Sequence, residues 1–202
     1  LQPLAADLAL LPVGWGAAHK GPMLTAWQKH PGYTVDLLKA VYGIRSVGAR
    51  TGLHTGPLLA FDFDGASSFD LGLHPWAITT WQVHRDTDPF RLKVLCQPTP
   101  EQIAQLPMQP DGSVEFQGKT LTAPATNGNK GEALEVFFAG GRQVILLGQH
   151  PSSGGNYFWP NALGPEAFSA PPDDWWQHAL QIAHKQAVPV RTAAKPSTTR
   201  KG

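Results

Sequence analysis

"LLAFDFDG", Leu58–Gly65, is an apolar run that ends in two carboxylates one residue apart, and its reading decides the fold. In a β-strand, side chains at i and i+2 leave the same face, so Asp62 and Asp64 stand side by side at a strand end. Like charges that close are stable when a cation sits between them, when one is protonated, or when both are well solvated. The pair alone is not specific: a solvated strand end closed by the turn residue Gly65 explains it as well as a metal site does. Metal-dependent glycosyltransferases and phosphatases use similar clusters, because a hard divalent cation takes oxygen ligands. A third acid is therefore the feature to look for. Glu135, in "ALEVFF", lies on a predicted strand between apolar residues, where an unpaired carboxylate is costly to bury. Its competing reading is an outward-facing residue on a half-buried strand.

Outward from this run, "IRSVGARTG" precedes it as a strand, and further strands are expected at Thr80–Arg85, Arg91–Gln97, Ala133–Gly140 and Arg142–Gly148. The last two, joined at "AGGR", carry the best hairpin signal. Helices are expected at Val35–Gly43, at "TPEQIAQLP" with Thr99 as N-cap and Pro100 at N1, and at "PDDWWQHALQIAHKQA", where Trp176, Leu180 and Ala183 share a face. Strands interleaved with a few helices and many Gly and Pro turns indicate an α+β fold rather than a doubly wound one.

The 202 residues, 42% hydrophobic, suffice for one sizeable core or two small lobes. The single cysteine, Cys96, excludes an intramolecular disulfide framework and a Cys-rich zinc site. No signal-peptide pattern or long apolar span is visible, so a soluble, cytoplasmic protein with no membrane partner is the expectation. The net charge of +1 hides an asymmetry: residues 185–202 hold five basic residues and no acid, leaving eleven bases against fifteen acids in residues 1–184. Binding of nucleic acid by bulk charge is not what such a body does, so that role requires local basic patches. Residues 185–202, rich in Pro, Ser, Thr and Lys, read as a disordered basic linker or truncated end leading to a further domain.

A third stretch, "GQHPSSGGNYFWP", Gly148–Pro160, follows a strand and combines turn formers with His150, Ser152, Ser153 and three aromatic residues. Exposed backbone amides, a histidine and stacking rings suit a phosphorylated nucleotide, while the plain alternative is a turn whose aromatics enter the core.

Taken in order, these pieces resemble the catalytic domain of the archaeo-eukaryotic primase superfamily, in particular the primase-polymerase (prim-pol) domains of plasmid, phage and mobile-element replication proteins. "KGPMLTAWQ" (Lys20–Gln28) is similar to the family's entry segment. "GARTGLHTGPLLAFDFDG" (Gly48–Gly65) looks like its RTG element followed by the first acidic motif. "LEVFFAGGRQVILLGQHPSSGGNYFW" (Leu134–Trp159) looks like its third acidic motif, a hairpin and its His/Gly/Tyr/Trp ending. The middle motif departs from the family: where a small residue and a histidine are usual, "RLKVLC" offers Arg91 and Lys93, with His84 on the preceding strand as a competitor, and "DTDP" replaces a glycine-rich turn.

The resemblance implies a primase-like catalytic core over residues 1–184, with an RRM-like antiparallel sheet and a small N-terminal α/β module. It implies DNA primase or DNA polymerase activity, a template-directed nucleotidyl transfer, with Asp62, Asp64 and Glu135 holding two divalent ions, Mg2+ or Mn2+. By the same match His150 lies near the incoming nucleotide; Arg50, Arg91, Lys93 and Ser152 are expected to bind it as well, Arg91 and Lys93 in place of the family's middle motif, and Lys20, Lys29 and Arg45 are expected to touch the template backbone. The implied partners are a single-stranded DNA template, a primer strand, a dNTP or rNTP, and a helicase domain beyond residue 202. Two rivals stand beside this reading: a non-catalytic nucleic-acid-binding initiator module that kept the fold, which the altered middle motif favours, and a DxD glycosyltransferase, which calls for a βαβ pattern not seen before Asp62.

Overall fold

Alternation along Leu58–Asp64 sorts the strand's two faces. Leu59, Phe61 and Phe63 enter one core, Leu58 and Ala60 enter a second, and Asp62 and Asp64 continue the second face as it turns polar. The computed structural model describes residues 8–14, 21–53, 56–72, 75–110, 112, 114–126, 131–139, 141–150, 154–160 and 168–184. In chain order the elements are β1 (Leu10–Val13), α1 (Val35–Ala40), β2 (Ser46–Arg50), β3 (Leu59–Asp64), α2 (Ala66–Gly72), β4 (Trp81–Arg85), β5 (Asp88–Cys96), α3 (Pro100–Ile103), β6 (Glu115–Ala123), β7 (Glu132–Ala139), β8 (Gln143–Gln149), β9 (Asn156–Phe158) and α4 (Asp173–His184), with a short 3₁₀ turn at Trp27–Lys29. Among the described residues the nine strands form one sheet in the order β1-β2-β8-β9-β4-β5-β3-β7-β6, every neighbouring pair antiparallel. The α+β class expected from the sequence is therefore observed. The expected N-terminal unit is not set apart, because β1 and β2 continue the same sheet through β8.

The helix-covered face carries the aromatic core. Phe61 meets Trp76 and Trp175 edge-on with ring centroids 6.2 and 5.2 Å apart, and Trp176 packs on Phe116 at 5.7 Å. Aromatic pairs of this geometry add to simple burial of area. On α4, Trp175, Trp176, Ala179 and Ile182 are buried, so the apolar stripe predicted through Trp176 faces the sheet, with Leu180 and Ala183 at its margin. α4 lies so close to β6 that a Cβ at Gly118 would fall 2.5 Å from the carbonyl oxygen of Ile182, which is why that strand position is glycine. The opposite face packs Leu58, Ala60, Trp81, Val83, Leu95 and Phe137 against Leu10, Ala49, Val144 and Leu146 of β1, β2 and β8.

Local signals set the short helices. Thr34 caps α1 by accepting from the Leu37 amide, and Thr99 with Gln102 forms a reciprocal capping box around Pro100, which starts the single turn of α3. α2, which no sequence feature announced, begins after Gly65, a residue with φ of 119°. The Glu132 carboxylate of β7 accepts from the Ser67 amide at 2.6 Å and so satisfies an N-terminal donor of that helix from across the sheet.

The expected hairpin at "AGGR" is overturned. β7 lies between β3 and β6, and β8 lies between β2 and β9, so the chain passes from one half of the sheet to the other between the end of β7 at Ala139 and the start of β8 at Gln143. Both edges of each strand are already paired, which leaves none for the other. The observed tight hairpin is β4–β5, turning at Asp86–Thr87. β6 pairs with β7 over Glu115–Ala123, a strand absent from the sequence reading, as were β1 and β9.

Candidate active site

Register places the acids. Asp62 pairs with Lys93 of β5 on one side and with Glu135 of β7 on the other, and Glu135 pairs in turn with Lys119 of β6. Residues opposite one another on neighbouring strands share a face. Lys93, Asp62, Glu135 and Lys119 thus form one transverse row across four strands. One step along, Asp64 pairs with Arg91 and Ala133. The three acids selected from the sequence therefore share one face of two adjacent strands.

Each carboxylate is turned to its own cation. Lys93 Nζ donates to Asp62 Oδ1 at 2.8 Å, Arg91 Nη1 to Asp64 Oδ1 at 2.7 Å, and Lys119 Nζ to Glu135 Oε1 at 2.7 Å. Arg91 also holds Asp88 at 2.9 Å, and Asp88 is shared with Arg85 at 3.3 Å. Among the described residues no three acidic, imidazole or thiol groups are gathered around one point. The donor set still fits a hard divalent ion, since it is all oxygen and lies on one face. Asp64 supplies a second sign of that fit. Burial, and then the neighbouring Asp62 charge, push its carboxyl pKa up against the opposing pull of Arg91, Lys93 and Lys119. Additional positive charge would be welcome there.

Of the three candidates for the middle motif, the structure brings Arg91 and Lys93 to the acids and leaves His84 apart. Lys93 reaches Asp62, whereas His84 pairs with Leu92 in register and bonds Gln82 at 2.8 Å, so its ring leaves the opposite face. Burial lowers the His84 pKa and favours the neutral ring. For Lys93, burial pulls the pKa down, but Asp62, with help from Tyr157 and Asp64, more than reverses it, so the ammonium is held.

The segment after β8 docks through Asp86, the residue that stands where a glycine-rich turn was usual. Asp86 accepts from the Asn156 amide at 2.7 Å and from its Nδ2 at 2.9 Å, pinning β9 between β8 and β4. Those two bonds lower the Asp86 pKa. Tyr157 is thereby brought under Lys93, whose Nζ lies 5.5 Å from the ring centroid, and the His150 ring lies 5.6 Å from that of Tyr157. His150 is accordingly linked to the acid row through one aromatic ring. Trp159 goes to the core, donating to the Leu146 carbonyl at 2.7 Å and packing on Trp81, as the plain reading of that aromatic run expects, whereas Phe158 stays exposed.

Arg50 is placed differently from the other expected nucleotide contacts. It lies on β2, its guanidinium donates to the Gln28 carbonyl, and burial lowers its pKa. Lys29 and Arg45 are exposed. Ser152, Lys20 and residues 185–202 lie outside the described residues. Lys119 is the residue the sequence reading missed; the alternation of Phe116 and Gly118 inward with Gln117 and Lys119 outward is the signal that would have found it. Among the described residues no helix is long and apolar enough to cross a membrane. Comparison with protein-family models, curated proteins and solved structures returns no match for the chain.

Proposed function

We propose that this protein is a primase-polymerase-like nucleotidyltransferase that joins a nucleoside triphosphate to a primer 3′-hydroxyl on a single-stranded DNA template. The observation that carries the reading is the direct pairing of Asp62 with Glu135 on adjacent strands, with Asp64 beside them on the same face. Such a set of carboxylates is what two-metal phosphoryl transfer uses. Asp62, Asp64 and Glu135 would hold Mg2+ or Mn2+, which when bound supplies charge neutralisation and alignment for in-line displacement. The chain's own contribution is positional. Lys93, Arg91 and Lys119 flank the acids with positive charge for the triphosphate, and the Tyr157 ring lies beside Lys93 and His150. Lys93 in place of a histidine acts as a point charge on the phosphates rather than a planar donor.

Primer extension and primer synthesis with labelled nucleotides and Mg2+ or Mn2+ test the proposal directly. Incorporation that disappears in Glu135→Gln and Asp64→Asn supports it, and a wild-type protein that incorporates no nucleotide refutes it. One observation favours a second reading, a non-catalytic nucleic-acid-binding replication initiator module: all three acids already carry an ion pair. Template binding without incorporation, unchanged by substitution of the acids, is the result that reading requires.

A further inference from the structure

We infer that Lys119 is a nucleoside-triphosphate contact held in reserve by Glu135: it neutralises that carboxylate in the ion-free protein and turns to the phosphates in the neighbouring cleft once a divalent cation takes Glu135. The inference rests on the proposed nucleotidyl-transfer reading and adds a residue to it. Lys119 stands at the junction of two clefts. One, of about 460 Å³, is lined by Asp64, Arg91, Lys119, Leu121, Ala125 and Gly131. The other, of about 340 Å³, runs past Glu135, Phe137 and Arg142. Both volumes lie in the range of small-molecule sites.

Three features single out Lys119 among the cations of the row. Its side chain is 43% exposed against 14% for Lys93, so its stem can swing while Lys93 stays fixed between Asp62 and Tyr157. The larger cleft places Lys119 together with Arg91, and Arg91 keeps Asp88 as a second partner when Asp64 is taken, so that wall stays in place. Leu121, 66% exposed on the same lining, offers apolar surface to a sugar or base. Charge then sets the sequence of events. Lys93, Arg91 and Lys119 balance Asp62, Asp64 and Glu135 one for one, so a polyanion gains little from the ion-free row. Each divalent cation adds two positive charges and competes with an ammonium for the same oxygens. The displaced ammonium then faces a triphosphate, a strong acceptor for charge-assisted hydrogen bonds.

The test follows two ligands with opposite expected signs. Mn2+ binding without nucleotide is followed by electron paramagnetic resonance. Binding of a labelled dNTP is measured in Ca2+ by equilibrium filtration, using wild type, Lys119→Met and Lys119→Arg. Lys119→Met should bind Mn2+ about two- to fivefold more tightly, because a competing cation is gone. It should bind the dNTP about tenfold or more weakly, as expected for a lost charged hydrogen bond. Lys119→Arg should retain most of the dNTP affinity. Weakening of both ligands in Lys119→Met, or unchanged dNTP binding, overturns the inference. A wild-type protein that binds both ligands but extends no primer refutes nucleotidyl transfer and leaves the role of Lys119 standing; one that binds neither refutes both.

Discussion

Replacing Lys93 by methionine keeps the stem's length and removes the charge from the centre of the acid row. The ammonium bonds Asp62 at 2.8 Å and lies over Tyr157, and the two side chains of the ion pair keep only 14% and 15% of their exposure. Removing one partner of a fully buried pair costs about 3–5 kcal/mol, because the other charge is left uncompensated. The residual water contact reduces this, and we expect about 2–3 kcal/mol. For a chain of this size that corresponds to a fall in Tm of roughly 4–12 °C. Asp62→Asn in the Lys93→Met background should recover much of the loss, because it removes the stranded carboxylate, with a coupling of about 1.5–3 kcal/mol in the double-mutant cycle. The pH dependence has a definite sign. The folded Lys93 pKa is raised, so its contribution is fully present below the unfolded lysine value of about 10.4 and is lost only as pH rises through the higher folded value. The gap between wild type and Lys93→Met should therefore be flat from about pH 6 to 9 and close above about pH 10.5. Urea unfolding of the four proteins across pH, with a thermal melt for the Tm, reads all of this. Single variants within about 0.5 kcal/mol of wild type, or strictly additive effects, would show that the row is a surface ion pair with no structural weight.

The two aspartates of β3 should behave differently. Asp64 has a folded pKa above its unfolded value, so its contribution favours folding below the unfolded value of about 3.9 and is lost as pH rises through the folded one. At pH 7 its charge is a net cost, so Asp64→Asn should keep or raise the Tm while Asp62→Asn lowers it by stranding Lys93. A fall in Tm for Asp64→Asn at pH 7 contradicts the assignment. Glu135→Gln should abolish nucleotide incorporation with little change in melting, because the 43%-exposed Lys119 side chain can return to water. Substantial residual incorporation would remove Glu135 from the reaction. Gly118→Ala should cost about 1–3 kcal/mol, since its Cβ would sit 2.5 Å from the Ile182 carbonyl and push α4 off the sheet. A neutral result in chemical denaturation would mean that α4 is not seated there.

What the sequence determined by itself was local. Period-two alternation in "LLAFDFDG" put Asp62 and Asp64 on one face, Thr99 and Pro100 announced α3, and the Trp176 stripe announced the buried side of α4, because each signal depends on residues within a few positions of one another. Which strands pair was a different matter. Backbone ladders carry no residue code, and "AGGR" looks the same whether the chain reverses beside itself or crosses to the other half of the sheet; the occupied edges of β7 and β8 decided for crossing. β6 escaped notice because its outward face carries the polar Gln117 and Lys119 and its inward side includes Gly118, a residue demanded by α4 from far along the chain. With β6 came Lys119. The acids could be chosen from sequence, but the cations paired with Asp62 and Glu135 are set by register across β5, β3, β7 and β6, and only the folded sheet brings residues so distant in the chain to within hydrogen-bonding distance.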